Sequence, residues 1–148
     1  MRGGDTLQSS AAPCSDALRD AAGSAEERPA VPDPCTIVLF GATGDLTRRK
    51  LIPALYSLYV QGLLPEYFEI VAVARRPRTT DEYREAAFAS VQEFAPAVPA
   101  SRAAWEQFAR RIHYEASPLE KPGDLDGLRH RLEEIESAKP TAGNRLFY

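Results

Sequence analysis

The sequence predicts an α/β fold in which a parallel sheet carries helices on both faces. The first observation is that short apolar segments alternate with amphipathic ones from residue 36 onwards. The second is that the first apolar segment, residues 36–40, ends in a Gly-x-x-Gly turn at residues 41–44, and a helical pattern follows at once. A strand, a glycine turn and a helix in this order place backbone N–H groups where they can hold a phosphate, so the domain is predicted to be Rossmann-like.

The bulk composition fits one globular domain. The chain has 148 residues, of which 44% are hydrophobic, and no run approaches the roughly 20 apolar residues that cross a bilayer, so no membrane partner is expected. Residues 1–34 carry three basic and six acidic side chains, which leaves 15 of each sign in the rest; this neutral balance argues against a nucleic-acid surface. The two cysteines and two histidines, Cys14, Cys35, His113 and His130, have no metal-binding spacing, and no metal is expected.

Residues 1–34 differ from the rest of the chain. They contain no aromatic residue and only three large aliphatic ones, while alanine, proline, serine, glycine and acidic residues predominate. Such a segment buries too little surface to offset its ordering entropy, so we predict a disordered tail followed by a domain over residues 35–148. The tail lacks the apolar core of a secretory signal, and its acidity argues against an organelle transit peptide, which favours a cytoplasmic location.

The first helix is predicted over residues 46–61, after the strand at residues 36–40. Leu51, Leu55 and Leu58 recur at helical spacing and are expected to form one apolar face. Pro53 lies inside this pattern and lacks a backbone donor, so we expect a local bend there. Gly62 is a suitable C-terminal stop.

The later elements continue the alternation. A second strand is predicted at residues 69–74, and a capping box at Thr79 and Glu82 begins a helix that reaches about Phe94. The remaining predictions are a helix over residues 101–110, a strand over residues 112–115, an amphipathic helix built on Leu125, Leu128, Leu132 and Ile135, and a buried strand that begins at Arg145. Because this fourth strand would stop near its midpoint, we expect a partial domain, truncated after the start of the fourth strand of a longer protein.

The glycine turn and the end of the second strand indicate the ligand. Gly41 permits a tight turn, Gly44 lets the main chain approach a pyrophosphate, and Asp45 is suited to cap the helix. NAD-binding domains place an acidic residue after the second strand, whereas this chain has Arg75 and Arg76 there, which favours NADP. A plain strand–helix turn and a solvated basic loop remain the alternatives.

At this point the residues resemble a known family. Residues 41–55, Gly-Ala-Thr-Gly-Asp-Leu-Thr-Arg-Arg-Lys-Leu-Ile-Pro-Ala-Leu, are similar to the coenzyme turn and first helix of glucose-6-phosphate dehydrogenases. Residues 62–65, 70–75 and 144–148 resemble further segments of the same family in the same order. The resemblance therefore covers the whole predicted domain.

The resemblance implies an enzyme that oxidises glucose 6-phosphate to 6-phosphogluconolactone, reduces NADP and serves the oxidative pentose phosphate pathway, usually as a homo-oligomer. It implies that Arg75 binds the 2′-phosphate, that Tyr148 lies beside the nicotinamide end and that Lys50 lies near the substrate. The coenzyme phosphates would be surrounded by Gly41, Ala42, Thr43, Gly44, Asp45, Leu46, Thr47 and Arg48. The family's substrate-binding and catalytic motifs would lie beyond Tyr148, so we expect no catalytic residue within this chain and no turnover by it alone.

Two other functions are open at this stage. An extended short-chain reductase-like NADP protein also begins with a Gly-Ala-Thr-Gly turn, but its Tyr-x-x-x-Lys pair is absent, and Thr47 stands where a third glycine would be. A non-catalytic NADP-binding module is the second alternative, and the lack of catalytic motifs makes it physically reasonable for this chain.

Overall fold

Four parallel strands form the sheet around which the chain folds. The computed structural model describes residues 32–141 and 143–148, so the tail predicted for residues 1–34 lies almost entirely outside the described residues. The elements are β1 (Cys35–Phe40), α1 (Ile52–Val60), β2 (Phe68–Ala74), α2 (Thr80–Phe94), α3 (Arg102–Ala109), β3 (Ile112–Ala116), α4 (Leu125–Ala138) and β4 (Arg145–Phe147). The strand order is β3-β2-β1-β4, and all three pairings are parallel, which confirms the predicted fold class.

Alternate residues of the strands face two separate cores. In β2, Ile70 and Ala72 pack with the buried sides of α1, α2 and α3, whereas Val71 and Val73 pack against α4. All seven residues of β2 are buried, as expected for a central parallel strand covered by helices on both faces. From β1 the chain adds β2 and β3 on one side and then returns to add β4 on the other side of β1. Ligands of open α/β sheets bind at the carboxyl ends of the strands where the order changes direction in this way.

The helix after β1 is irregular at its start. A π-helical stretch, Thr47–Leu51, precedes α1, and the backbone N–H of Ile52 donates to the carbonyl of Thr47, five residues earlier. Pro53 explains this geometry, because it has no N–H and its ring would crowd the carbonyl four residues before it in a regular α-helix.

The leucine face predicted for this helix is wrong for Leu58, while Leu51 and Leu55 do pack against the core. Ile52 and Tyr56 are buried, whereas Leu58 is 37% exposed and Leu51 and Leu55 are only half-buried. A π-helical turn holds more residues than an α-helical turn, so the stretch before Pro53 rotates the buried face away from the positions that a regular helical repeat predicts. The stop at Gly62 is confirmed: its φ is +67°, and its N–H donates to the carbonyl of Tyr59.

The capping box of α2 is confirmed. Thr79 Oγ1 accepts a hydrogen bond of 3.1 Å from the backbone N–H of Glu82, and the Glu82 carboxylate accepts one of 2.8 Å from the backbone N–H of Thr79. In α4, Leu128, Leu132 and Ile135 are buried as predicted, but Leu125 at its first turn is 49% exposed.

The burial predicted for the fourth strand is wrong for the described residues. Leu146 and Phe147 are 57% and 54% exposed, because β1 is the only strand that pairs with β4 in this part of the chain. The ring of Phe147 stacks on Phe40 at 6.3 Å between centroids, while α4 covers the neighbouring valines of β1 and β2. The strand therefore adds backbone hydrogen bonds to the sheet but contributes few side chains to the hydrophobic core.

Candidate dinucleotide-binding site

The turn after β1, residues 41–44, is closed by hydrogen bonds to one carbonyl. The backbone N–H of Gly44 donates to the Gly41 carbonyl oxygen at 2.7 Å, and the hydroxyl of Thr47 donates to the same oxygen at 3.3 Å. Gly41 has φ of +66°, and a β-carbon added to Gly44 would lie 2.9 Å from the Gly41 oxygen. The backbone geometry therefore requires glycine at both positions. Thr47, which is only 2% exposed, stabilises the turn through its buried hydroxyl.

Several N–H groups of this turn are free to bind an anion. Among the described residues, the backbone N–H groups of Thr43, Asp45 and Leu46 form no hydrogen bond, and all three residues are exposed. The N–H of Arg48, two residues after Leu46, donates to the carbonyl of Gly44 and so belongs to the helix. Exposed donors at the start of a helix, next to a glycine that leaves the backbone open, fit a pyrophosphate.

The first side chains of the helix pair with one another. The Asp45 carboxylate lies 2.7 Å from Nε of Arg49, one helical turn later, so it forms an ion pair in place of the predicted helix cap. Arg48 and Arg49 both place their guanidinium groups over the ring of Phe94, at 5.3 and 5.4 Å from its centroid. Arg48 also lies 3.9 Å from the carboxylate of Glu93, so both of its contacts are with α2.

The arginine loop, residues 75–78, lies at the same edge of the sheet as the glycine turn. Arg75, Arg76 and Arg78 are exposed, and within the described part of the chain none of them forms an ion pair. No acidic side chain follows β2 before residue 81. The edge therefore presents positive charge where a dinucleotide ribose would approach.

Two clefts flank the glycine turn. One, of about 420 Å³, lies between the turn and the arginine loop and is lined by Gly41, Gly44, Arg75 and Arg76 together with residues 117–119 after β3. The other, of about 340 Å³, lies between the turn and α2, and its lining includes Thr43, Arg48, Arg76, Arg78 and Tyr83. Arg76 lines both clefts, so the arginine loop forms their common wall.

Ala42 lines the smaller cleft without a free donor, and two other predicted site residues lie outside both clefts. Ala42 is buried: its N–H donates to the Val73 carbonyl, and its own carbonyl accepts from the hydroxyl of Tyr83 at 3.2 Å, so it supports the turn without offering a donor. Lys50 and Tyr148 are exposed and line neither cleft. Tyr148 exchanges backbone hydrogen bonds of 2.9 Å with Val38 and Phe40, which places it beside the carboxyl end of β1.

Sequence reasoning missed three parts of this site. Residues 117–119 line the larger cleft, and their position directly after a predicted strand could have identified them, since parallel strands end at one edge. No pattern in the sequence indicated that Arg76 lines both clefts or that Tyr83 contacts the turn. Tyr83 looks like an ordinary core residue of an amphipathic helix.

Neither histidine belongs to the site. His113, the second residue of β3, places Nε2 2.7 Å from the buried carboxylate of Glu69 on the face covered by α4. His130 is exposed on α4 and lies 3.5 Å from Glu134. Within the described residues, no group of three or more histidine, cysteine or acidic side chains could hold a metal ion, and no helix there has the length and apolarity to cross a membrane.

Comparisons with known proteins identify relatives of this domain. Residues 38–148 match the family model described as glucose-6-phosphate dehydrogenase, NAD binding domain. The glucose-6-phosphate 1-dehydrogenase of Chlamydia muridarum is 42% identical over 120 residues, which cover 81% of this chain and 24% of that protein.

Solved structures show the same fold. A glucose-6-phosphate dehydrogenase in complex with its substrate glucose-6-phosphate superimposes with a TM-score of 0.67 at 30% identity, over 80% of this chain and 24% of the other. The glucose-6-phosphate 1-dehydrogenase of Mycobacterium avium gives a TM-score of 0.59 at 27% identity, over 68% of this chain and 21% of the other. The chain thus spans about a quarter of the length of the curated relatives it matches.

Proposed function

This chain belongs to the glucose-6-phosphate dehydrogenase family through that family's nicotinamide-dinucleotide-binding domain, and we propose that its coenzyme is NADP. The observation that carries the proposal is the arginine loop: three exposed arginines without an ion pair among the described residues lie beside the free N–H groups of the glycine turn. A carboxylate at this position would repel a 2′-phosphate, whereas a guanidinium offers it a fork of donors.

Different residues of the site bind different parts of the coenzyme. The free N–H groups of Thr43, Asp45 and Leu46 hold the pyrophosphate, and Gly44 leaves room for its approach. Arg75 binds the 2′-phosphate at the wall of the larger cleft. When bound, NADP accepts a hydride from the substrate; this chain's part is to bind and orient it.

The activity of the whole protein is proposed from the family. It oxidises D-glucose 6-phosphate to 6-phospho-D-glucono-1,5-lactone in the oxidative pentose phosphate pathway. We further propose that the whole protein is a homo-oligomer located in the cytoplasm. Lys50 is predicted to lie near the substrate and Tyr148 near the nicotinamide. Because neither histidine lines a cleft beside the turn, we expect that this chain alone binds NADP and does not reduce it with glucose 6-phosphate.

Calorimetric titration of the purified chain with NADP and with NAD tests the proposal. We expect NADP to bind more tightly, and Arg75→Ala to weaken NADP binding at least tenfold with little effect on NAD. Arg110→Ala is the matched control, since it removes the same charge from an exposed residue just before the amino end of β3, at the opposite edge of the sheet. Equal affinity for the two coenzymes, or equal losses in the two variants, would overturn the NADP assignment.

A further inference from the structure

Two buried tyrosines connect the two halves of the coenzyme site. The hydroxyl of Tyr83, on α2, donates to the carbonyl of Ala42 in the glycine turn at 3.2 Å. The hydroxyl of Tyr114, on β3, donates to the carbonyl of Arg76 in the arginine loop at 2.6 Å. Their rings pack together with centroids 5.1 Å apart and planes at 30°, and the two residues are only 4% and 5% exposed.

The arginine loop has few other attachments. At its start, the carbonyl of Ala74 accepts from the N–H of Ser117 at 2.9 Å, and at its end Thr79 begins the capping box of α2. Between these points, the bond from Tyr114 to the Arg76 carbonyl is the one hydrogen bond that the described residues give to the loop. The direction in which the loop presents its guanidinium groups therefore depends on this contact.

Both phenols remain donors under ordinary conditions. Burial raises the pKa of Tyr83, and the neighbouring Tyr114 raises it further. Burial also raises the pKa of Tyr114, although the cations of Arg78 and Arg76 oppose that shift. Each tyrosine thus keeps its proton at neutral pH and can hold the carbonyl it contacts.

We propose that Tyr114 is a positioning residue for the 2′-phosphate: it fixes the arginine loop through the Arg76 carbonyl and so sets the preference for NADP over NAD. Tyr83, packed against it, supports the glycine turn, which contacts the pyrophosphate that both coenzymes share. The inference rests on the proposed NADP function and adds to it two residues that do not touch the phosphate. It predicts different consequences for the two hydroxyls.

Three single-atom deletions test this division. Tyr114→Phe removes the bond to the loop and keeps the ring packing, so NADP affinity should fall about three- to tenfold while NAD affinity stays within twofold. Tyr83→Phe should weaken both coenzymes by similar factors. Tyr56→Phe is the matched control, because it deletes a buried hydroxyl that donates to another backbone carbonyl, that of Pro99, outside both clefts, and should change neither affinity.

A double variant separates positioning from general destabilisation. If Tyr114 acts through the arginine loop, Tyr114→Phe should have no further effect on NADP binding in an Arg75→Ala background. A wild-type chain that does not prefer NADP would refute the proposed function itself. A wild-type preference that survives Tyr114→Phe unchanged, or a loss that is equal for NADP and NAD, would overturn this inference and leave the NADP assignment intact.

Discussion

The carbonyl oxygen of Gly41 lies 2.7 Å from the backbone nitrogen of Gly44 and would lie 2.9 Å from a β-carbon at that position. The same short span that closes the turn therefore excludes every side chain from it. The obstructing atom is backbone, bonded also by Thr47, and cannot move aside as the end of a flexible side chain could. The requirement for glycine here is steric and exists before any ligand binds.

Gly44→Ala should consequently damage both binding and stability. Opening the turn to admit the methyl group displaces the free N–H groups, so we expect at least a tenfold loss of affinity for NADP and for NAD alike. Crowding of this kind costs about 1–3 kcal/mol of unfolding free energy, measurable by urea denaturation. Gly123→Ala is the control, since its added β-carbon meets no atom closer than 3.9 Å; similar losses in both variants would contradict the steric argument.

Two buried threonines should respond in opposite ways to the loss of a hydroxyl. The hydroxyl of Thr47 bonds the Gly41 carbonyl, so Thr47→Val should lower the unfolding free energy by about 1 kcal/mol and weaken both coenzymes. The hydroxyl of Thr36, in β1, is buried with no partner among the described residues. Thr36→Val should therefore leave the unfolding free energy unchanged or raise it, and equal destabilisation of both variants would show that the Thr47 bond contributes nothing.

The fold class followed from local patterns, and the errors have local causes. Residues 36–46 identify a strand, a turn and a helix because each obeys its own chemistry, and the capping box at Thr79 is a purely local motif. The prediction for Leu58 in the first helix was wrong because Pro53 changes the helical repeat before it, and a uniform helical repeat does not allow for that change. Whether the side chains of β4 are buried depends on which elements cover the strand, and the apolar sequence of the strand alone cannot predict this.

The sequence predicted those parts of the candidate site whose positions are set by the strands and turns of the main chain. The sequence predicted that Gly41, Gly44 and Arg75 lie together, because they follow the carboxyl ends of two parallel strands, and their roles toward the coenzyme stay predictions. The contacts of Tyr83 and Tyr114 depend on how α2 and β3 pack on the sheet, over separations of 41 and 38 residues along the chain, and no spacing in the sequence encodes them.

The pair formed by Glu69 and His113 should stabilise the sheet without affecting coenzyme binding. The Glu69 side chain is 5% exposed, so His113→Val would leave its carboxylate buried without the partner that now lies 2.7 Å away. We expect a loss of about 2 kcal/mol in unfolding free energy and unchanged NADP affinity. Adding Glu69→Val should restore much of the stability, because no isolated polar group then remains; a further loss in the double variant would contradict this account.

The ion pair between Glu136 and Arg145 should make the attachment of β4 dependent on pH. Arg145 donates two hydrogen bonds, of 2.6 and 2.8 Å, to the two oxygens of Glu136, and these bonds hold the pKa of that carboxyl below its ordinary value of 4.5. A carboxyl whose pKa is lower in the folded state contributes stability above its unfolded pKa and loses it as the pH falls through the folded value.

The unfolding free energy of the chain should therefore decline less steeply below about pH 4.5 in Glu136→Gln than in the wild type. At neutral pH the substitution should cost about 1 kcal/mol, because the pair is partly exposed. Glu120→Gln, which removes the same charge from an exposed loop residue, should retain the wild-type slope. Urea denaturation from pH 3 to pH 7 measures all three curves, and a Glu136→Gln curve parallel to the wild type would show that this pair does not couple protonation to folding.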